Sequence, residues 1–182
     1  PPRVEPASAN PPELATGSKP DPAATPATAG GTRASRRWIA SPYFHAADRT
    51  PATVDAIAIH TTESMFRPGS THAQNQLRAY VGTISYFRNN PRRVSAHFVI
   101  GPGGEVTQMV READSAHTTT YYNDRSFGIE CAGWGKRDAT WTPELMQSLV
   151  DLCADLCLRW KIPAVHPEGT AYTGPHARPT NN

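Results

Sequence analysis

Four side chains in this 182-residue chain stand where they could do chemistry: His60, His97, His117 and Glu130. His60 closes the apolar run "VDAIAIHTT", and a neutral imidazole there is either a satisfied packing residue or a metal ligand. Glu130 lies inside "FGIEC", among apolar and small residues. An ionised carboxylate in such a strand is costly unless it faces a cleft, a cation or the solvent at a sheet edge. His97, within "SAHFVI", reads as a buried, hydrogen-bonded histidine, and His117, in "ADSAHTTT", as a loop histidine. Cys131 adds the option of a thiol nucleophile, but strand alternation turns it to the face opposite Glu130.

The elements that must position these groups follow from periodicity. The run before His60 is apolar enough for a central strand buried on both faces. "THAQNQLRAYVGTISYFRNN" carries Leu77, Tyr80, Val81, Ile84 and Phe87 at helical spacing, and Asn89-Asn90-Pro91 ends that helix. Two β-rich runs flank Gly101-Pro102-Gly103-Gly104, which predicts a hairpin, and "SFGIECAG" predicts another strand. Thr142 as N-cap and Pro143 at the first helical position open a second helix. Its buried stripe is Leu145, Leu149, Leu152, Cys153, Leu156 and Trp160. The order strand, helix, hairpin, strand, helix implies a single α/β domain, a mixed central β-sheet flanked by helices.

That domain is expected over residues 38–182. Residues 1–37, rich in Pro, Ala, Thr, Ser and Gly, have too little large apolar surface to offset their ordering entropy and read as a disordered linker. Eighteen Lys and Arg against sixteen Asp and Glu is too balanced to argue for a nucleic-acid partner. No apolar run approaches the roughly 20 residues of a membrane span. Three cysteines do not make a disulfide framework; Cys153 and Cys157, four apart on a helix, read as packed thiols.

Taken in order, the strand ending His60-Thr61-Thr62-Glu63, the block "VSAHFVIGPGGEVTQMV", then "SAHT" and "NDRSFGIECAG" resemble the zinc-dependent N-acetylmuramoyl-L-alanine amidases. That family includes the peptidoglycan recognition proteins, and the resemblance covers roughly residues 38–160. It implies a hydrolase that cleaves the amide between N-acetylmuramic acid and the L-alanine of the stem peptide. By that resemblance His60 is the first zinc ligand, Glu130 is the general base that takes a proton from the attacking water, and His117 lines the substrate groove. His97 is a supporting residue. Ala96 stands where the phage enzymes carry a catalytic tyrosine, which fits the branch that uses the glutamate. Ser115 to Thr118 lacks the tryptophan of the family's Trp-His-Ala block, so that wall of the groove differs.

The second and third zinc ligands of the family sit in a late block, Gly-His followed by Lys-x-Asp-Pro-Gly, which this sequence does not contain. Three readings follow: the chain stops short of that block, His176 or His166 substitutes, or the zinc site is lost and the domain only binds peptidoglycan. The first is expected, with His176 as the substitute candidate. The implied partners are zinc and a peptidoglycan or muropeptide substrate, with the protein a monomer. The Pro/Ala-rich tether goes with a secreted or cell-envelope location, in the periplasm or cell wall.

Overall fold

The structure is a computed structural model and describes residues 36–166. Seven strands and two α-helices are described: β1 Arg37–Trp38, β2 Phe44–His45, β3 Ala56–Thr61, α1 His72–Arg88, β4 Phe98–Ile100, β5 Val106–Gln108, β6 Ser115–Ala116, β7 Ser126–Cys131 and α2 Pro143–Trp160. Five of the strands form a mixed sheet in the order β1-β5-β4-β7-β3, and β2 pairs with β6 separately. β4 and β5 are the antiparallel hairpin over Gly101 to Gly104, while β3 and β4 both run parallel to β7. The α/β class, a mixed sheet with helices on its faces, is as the sequence implies. The linker expected over 1–37 lies outside the described residues except for Arg36 and Arg37. Those two belong to the fold: Arg37 is in β1, and Arg36 donates to Glu112 and Asp155.

Strand alternation sorts the sheet into two cores. Phe98, Ile100, Phe127, Ile129 and Cys131 point to α2, where they meet Leu145, Leu149, Leu152, Leu156 and Trp160. Val99 and Met109 join Ala79, Tyr80, Ile84 and Phe87 of α1 on the other side. Burial of each Val, Leu, Ile, Phe or Met among these contributes roughly 1.5–3 kcal/mol. α1 starts at a capping box in which Thr71 and Gln74 satisfy each other's backbone amides, and α2 starts at Thr142 with Pro143 next. α2 ends with Lys161 in the left-handed region (φ 55°), and the Ile162 amide donates to the Cys157 carbonyl. That turn folds Ile162 back into the α2-side core.

Two expectations need correction. β3 is not central: it lies at the edge of the described sheet, pairs with β7, and leaves Ile59 49% exposed. Its apolar character comes from one packed face, Ile57 against the α2-side core, and a floor of small residues on the other. Within α1, Leu77 and Val81 are 50% and 57% exposed, and the buried positions are instead Asn75, Gln76, Ala79 and Thr83 beside Tyr80, Ile84 and Phe87. Polar side chains hold the helix because they reach backbone: Gln76 Nε2 donates to the carbonyls of Ala132 (2.8 Å) and Thr140 (2.7 Å). Apolar periodicity cannot see such contacts.

His97 is the buried, hydrogen-bonded histidine the sequence predicts. The Gly128 amide donates to Nδ1 at 3.0 Å, and Nε2 lies 3.1 Å from the Asp114 carbonyl. The buried Arg49 guanidinium lies 2.7 Å from Nε2 and 4.8 Å over the Phe127 ring. Burial first, then the Arg49 charge, push the imidazole down from 6.5 to about 3. Above pH 6.5 neither the folded nor the unfolded chain protonates His97. Between 6.5 and about 3 the unfolded chain takes a proton that the folded chain refuses, so stability falls as pH drops through that window. We predict that going from about pH 7.5 to about pH 5 costs roughly 2 kcal/mol through this residue. Urea unfolding at both values should show a gentler loss by that amount in His97→Asn; equal losses would reject the assignment.

Candidate active site

In a parallel pair, residues in register point to the same side of the sheet. β3 and β7 pair with Ala56 opposite Ser126, Ala58 opposite Gly128 and His60 opposite Glu130. Phe127, Ile129 and Cys131 face α2, so Glu130 and His60 face the α1 side. There α1 covers Val99 and Met109 and Thr118 covers Gly128, so the partly exposed Ala56, Ala58, His60 and Glu130 are what is left as the candidate cleft. The structure therefore brings His60 and Glu130 together at the carboxyl ends of adjacent parallel strands, where open α/β sheets place their ligand crevices.

Both groups are half-buried, and both carry a buried atom, His60 Nε2 and Glu130 Oε2, with no hydrogen-bond partner. Burial lowers the His60 imidazole, which keeps a lone pair free to bind a metal. Burial raises the Glu130 carboxyl to about 8. β7 is flanked by β4 and β3, so the reading of Glu130 as an edge-strand glutamate in solvent does not hold. Among the described residues no group of three or more His, Cys, Asp or Glu side chains could hold a metal ion. His60 fits as one ligand and cannot serve alone.

The other candidates fall elsewhere. His117, half-buried, lies 2.9 Å through Nδ1 from the Arg93 carbonyl, and its amide donates to Ser95 Oγ. Thr118, next in the chain, lies directly on the sheet at Gly128, so this loop walls the cleft near Glu130. His166 lines a groove of about 520 Å³ with Ile57, Ile59, Cys153 and Cys157, on the face of β3 opposite His60. His176 lies outside the described residues. Cys131 is buried in the α2-side core with its thiol pushed up to about 12, first by burial, and cannot act as a nucleophile.

Sequence reasoning missed the supports of the site. Glu63 accepts from Thr61 Oγ1 (2.7 Å) and the Gly135 amide (2.8 Å), joining the loops that follow β3 and β7. Trp134 donates from Nε1 to the Ser64 carbonyl (2.7 Å) and meets the Phe66 and His72 rings edge-on at 5.2 and 5.3 Å. Thr61 aside, these partners are some sixty to seventy residues apart in sequence, and no local pattern signals them.

Gly128 is where the wall meets the floor. A Cβ there would stand 2.1 Å from Thr118 Oγ1 and 2.5 Å from Thr118 Cβ. We predict that Gly128→Ala costs roughly 1–3 kcal/mol by overpacking. Adding Thr118→Gly should recover most of that loss in chemical denaturation; a strictly additive double variant would show that the two residues do not touch.

Comparison with known proteins shows what the chain and its fold are similar to. Residues 50–180 match the Amidase_2 family, N-acetylmuramoyl-L-alanine amidase. The chain is 31% identical over 116 residues to N-acetylmuramoyl-L-alanine amidase A of Achromobacter lyticus, a match that takes in 56% of this chain and 66% of that protein. The chain thus spans just under two thirds of that relative's length. The structure of Drosophila peptidoglycan recognition protein SA superposes with a TM-score of 0.50 at 19% identity, over 71% of this chain and 75% of that one, a likeness of fold.

Proposed function

We propose that this chain, which belongs to the N-acetylmuramoyl-L-alanine amidase family, hydrolyses the amide between N-acetylmuramic acid and the L-alanine of a peptidoglycan stem peptide. The observation that carries the proposal is the register of His60 with Glu130 on adjacent parallel strands, each with an unpartnered buried atom on the cleft face. An imidazole and a carboxylate left unsatisfied side by side are costly in a fold that does not use them.

His60 would bind zinc through its free imidazole nitrogen, with the remaining ligands from outside residues 36–166, where His176 is the candidate in this sequence. When bound, zinc supplies Lewis acidity that acidifies water and polarises the scissile carbonyl. Glu130 takes a proton from the attacking water at Oε2 and returns it to the leaving amine. Burial, which raises this carboxylate to about 8, makes it a stronger base than an exposed glutamate. The small side chains of Ala56 and Ala58 let a substrate backbone approach β3 closely, and the His117 loop, seated on Gly128 through Thr118, forms one wall.

A secreted or envelope location follows from this substrate, and no helix of the described residues is long and apolar enough to cross a membrane. The rival reading is a module that binds peptidoglycan without cleaving it. On the full gene product, Glu130→Gln should retain zinc and lower the release of stem peptide from a soluble muropeptide by about 10²–10⁴. His60→Ala should lose both metal and turnover. Metal analysis and chromatography of the products check the pair. Unchanged turnover in Glu130→Gln would overturn the general base, and muropeptide binding with neither zinc nor turnover in the unmutated protein would favour the binding module.

A further inference from the structure

Between Glu63 and Glu105 the chain has no acidic residue, and all sixteen of its carboxylates lie outside that stretch. Within it fall Arg67, Arg78, Arg88, Arg92 and Arg93, all exposed, and none makes an ion pair among the described residues. The stretch contains all of α1 and the turn after it. A protein whose formal charge is only +2 thus gathers five exposed arginines in one stretch that holds no carboxylate.

The placement is regular. Arg78, Val81, Ser85 and Arg88 follow one another at three- and four-residue steps, so they form one outward line on α1, about 15 Å from first to last arginine. Val81 within that line and Leu77 beside it are half exposed, and Tyr86 is 41% exposed. Arg67 stands at the amino end, where its amide is held by Asn75 Oδ1 (2.9 Å). Arg92 and Arg93 close the other end, in a turn where Arg93 takes φ 54° and its carbonyl lies 2.9 Å from His117 Nδ1. The cationic line therefore runs along the helix that borders the cleft, from the loop after β3 to the loop that walls Gly128.

We propose that the outward face of α1 and the Asn90–Arg93 turn form a second docking surface, which binds the carboxylates of stem peptides in the insoluble wall next to the strand being cleaved. This rests on the peptidoglycan reading above. Guanidinium groups match carboxylates as two-pronged donors, and the half-exposed Leu77 and Val81 offer short apolar contact to peptide side chains. A single exposed pair of this kind is weak. A wall repeats its carboxylates, so several weak pairs held at once give a strong, salt-sensitive attachment. A soluble muropeptide, with one stem peptide, engages only the cleft.

Binding to isolated wall tests this in the Glu130→Gln background, where turnover cannot erode the target. The variant Arg78→Gln/Arg88→Gln/Arg92→Gln is compared with its lysine counterpart; Arg93 stays, because its left-handed backbone (φ 54°) shapes the turn whose carbonyl lies beside His117. The triple glutamine variant should bind wall about tenfold or more weakly, and the lysine variant should keep most of the affinity. Amidating the wall carboxylates should abolish the difference, whereas stripping phosphodiester polymers with hydrofluoric acid should leave it. With Glu130 restored, the glutamine variant should release stem peptide from a soluble muropeptide at the unmutated rate. Equal wall binding by the glutamine variant, or a difference that survives amidation, or one that vanishes with the phosphodiester polymers, would overturn the proposal. Failure of the unmutated protein to act on soluble muropeptide would instead count against the function proposed above.

Discussion

His60 and Glu130 sit in register on two adjacent parallel strands, and much of the described fold makes that pairing possible. Each holds a buried polar atom toward the cleft without a partner, at a cost of about 1–3 kcal/mol per group. A sheet tolerates this only where its backbone is rigid and its other face is well packed. β7 meets both conditions, being flanked by β4 and β3 and carrying Phe127, Ile129 and Cys131 into the α2-side core. Alternation does the rest: the residues that anchor the strand and those that serve the cleft cannot interfere, because they point to opposite faces.

The second layer of support joins distant parts of the chain. Gln76 ties α1 to the loop after β7, and Glu63 and Trp134 tie that loop to the one after β3. Arg49 reaches the carbonyls of Glu112 and Ser126 and keeps a positive charge against His97, which in turn receives the Gly128 amide. At the far end of α2, Glu112, only 3% exposed, accepts from Arg36, Arg159 and the Trp160 indole. A buried carboxylate needs such partners, and here they bind the first described residues to the last helix. The cleft is therefore framed by polar contacts to backbone as much as by apolar packing.

Much of this was legible locally. Thr142-Pro143 marked the start of α2, Asn89-Asn90 the end of α1, and the four residues from Gly101 to Gly104 the hairpin, because caps and turns are decided by neighbours in sequence. The edge position of β3 was not legible. An alternation of Ile with Ala satisfies the pattern of a buried strand, yet the alanines form the floor of a cleft and Ile59 is half exposed. The exposure of Leu77 and Val81 was hidden for the converse reason, since Gln76 and Asn75 occupy the inward positions by bonding to backbone.

By itself the sequence determined the helices, the hairpin and the α/β class, and it singled out His60 and Glu130 as candidates. These follow from periodicity, caps and motif order, all carried by residues close along the chain. Only the tertiary structure decided that the two stand side by side. It alone set Thr118 against Gly128, tied the Arg93 turn to His117, and left the arginines of α1 without ion pairs among the described residues. Those relations join segments tens of residues apart, and strand register and helix docking, not local propensity, determine which side chains meet.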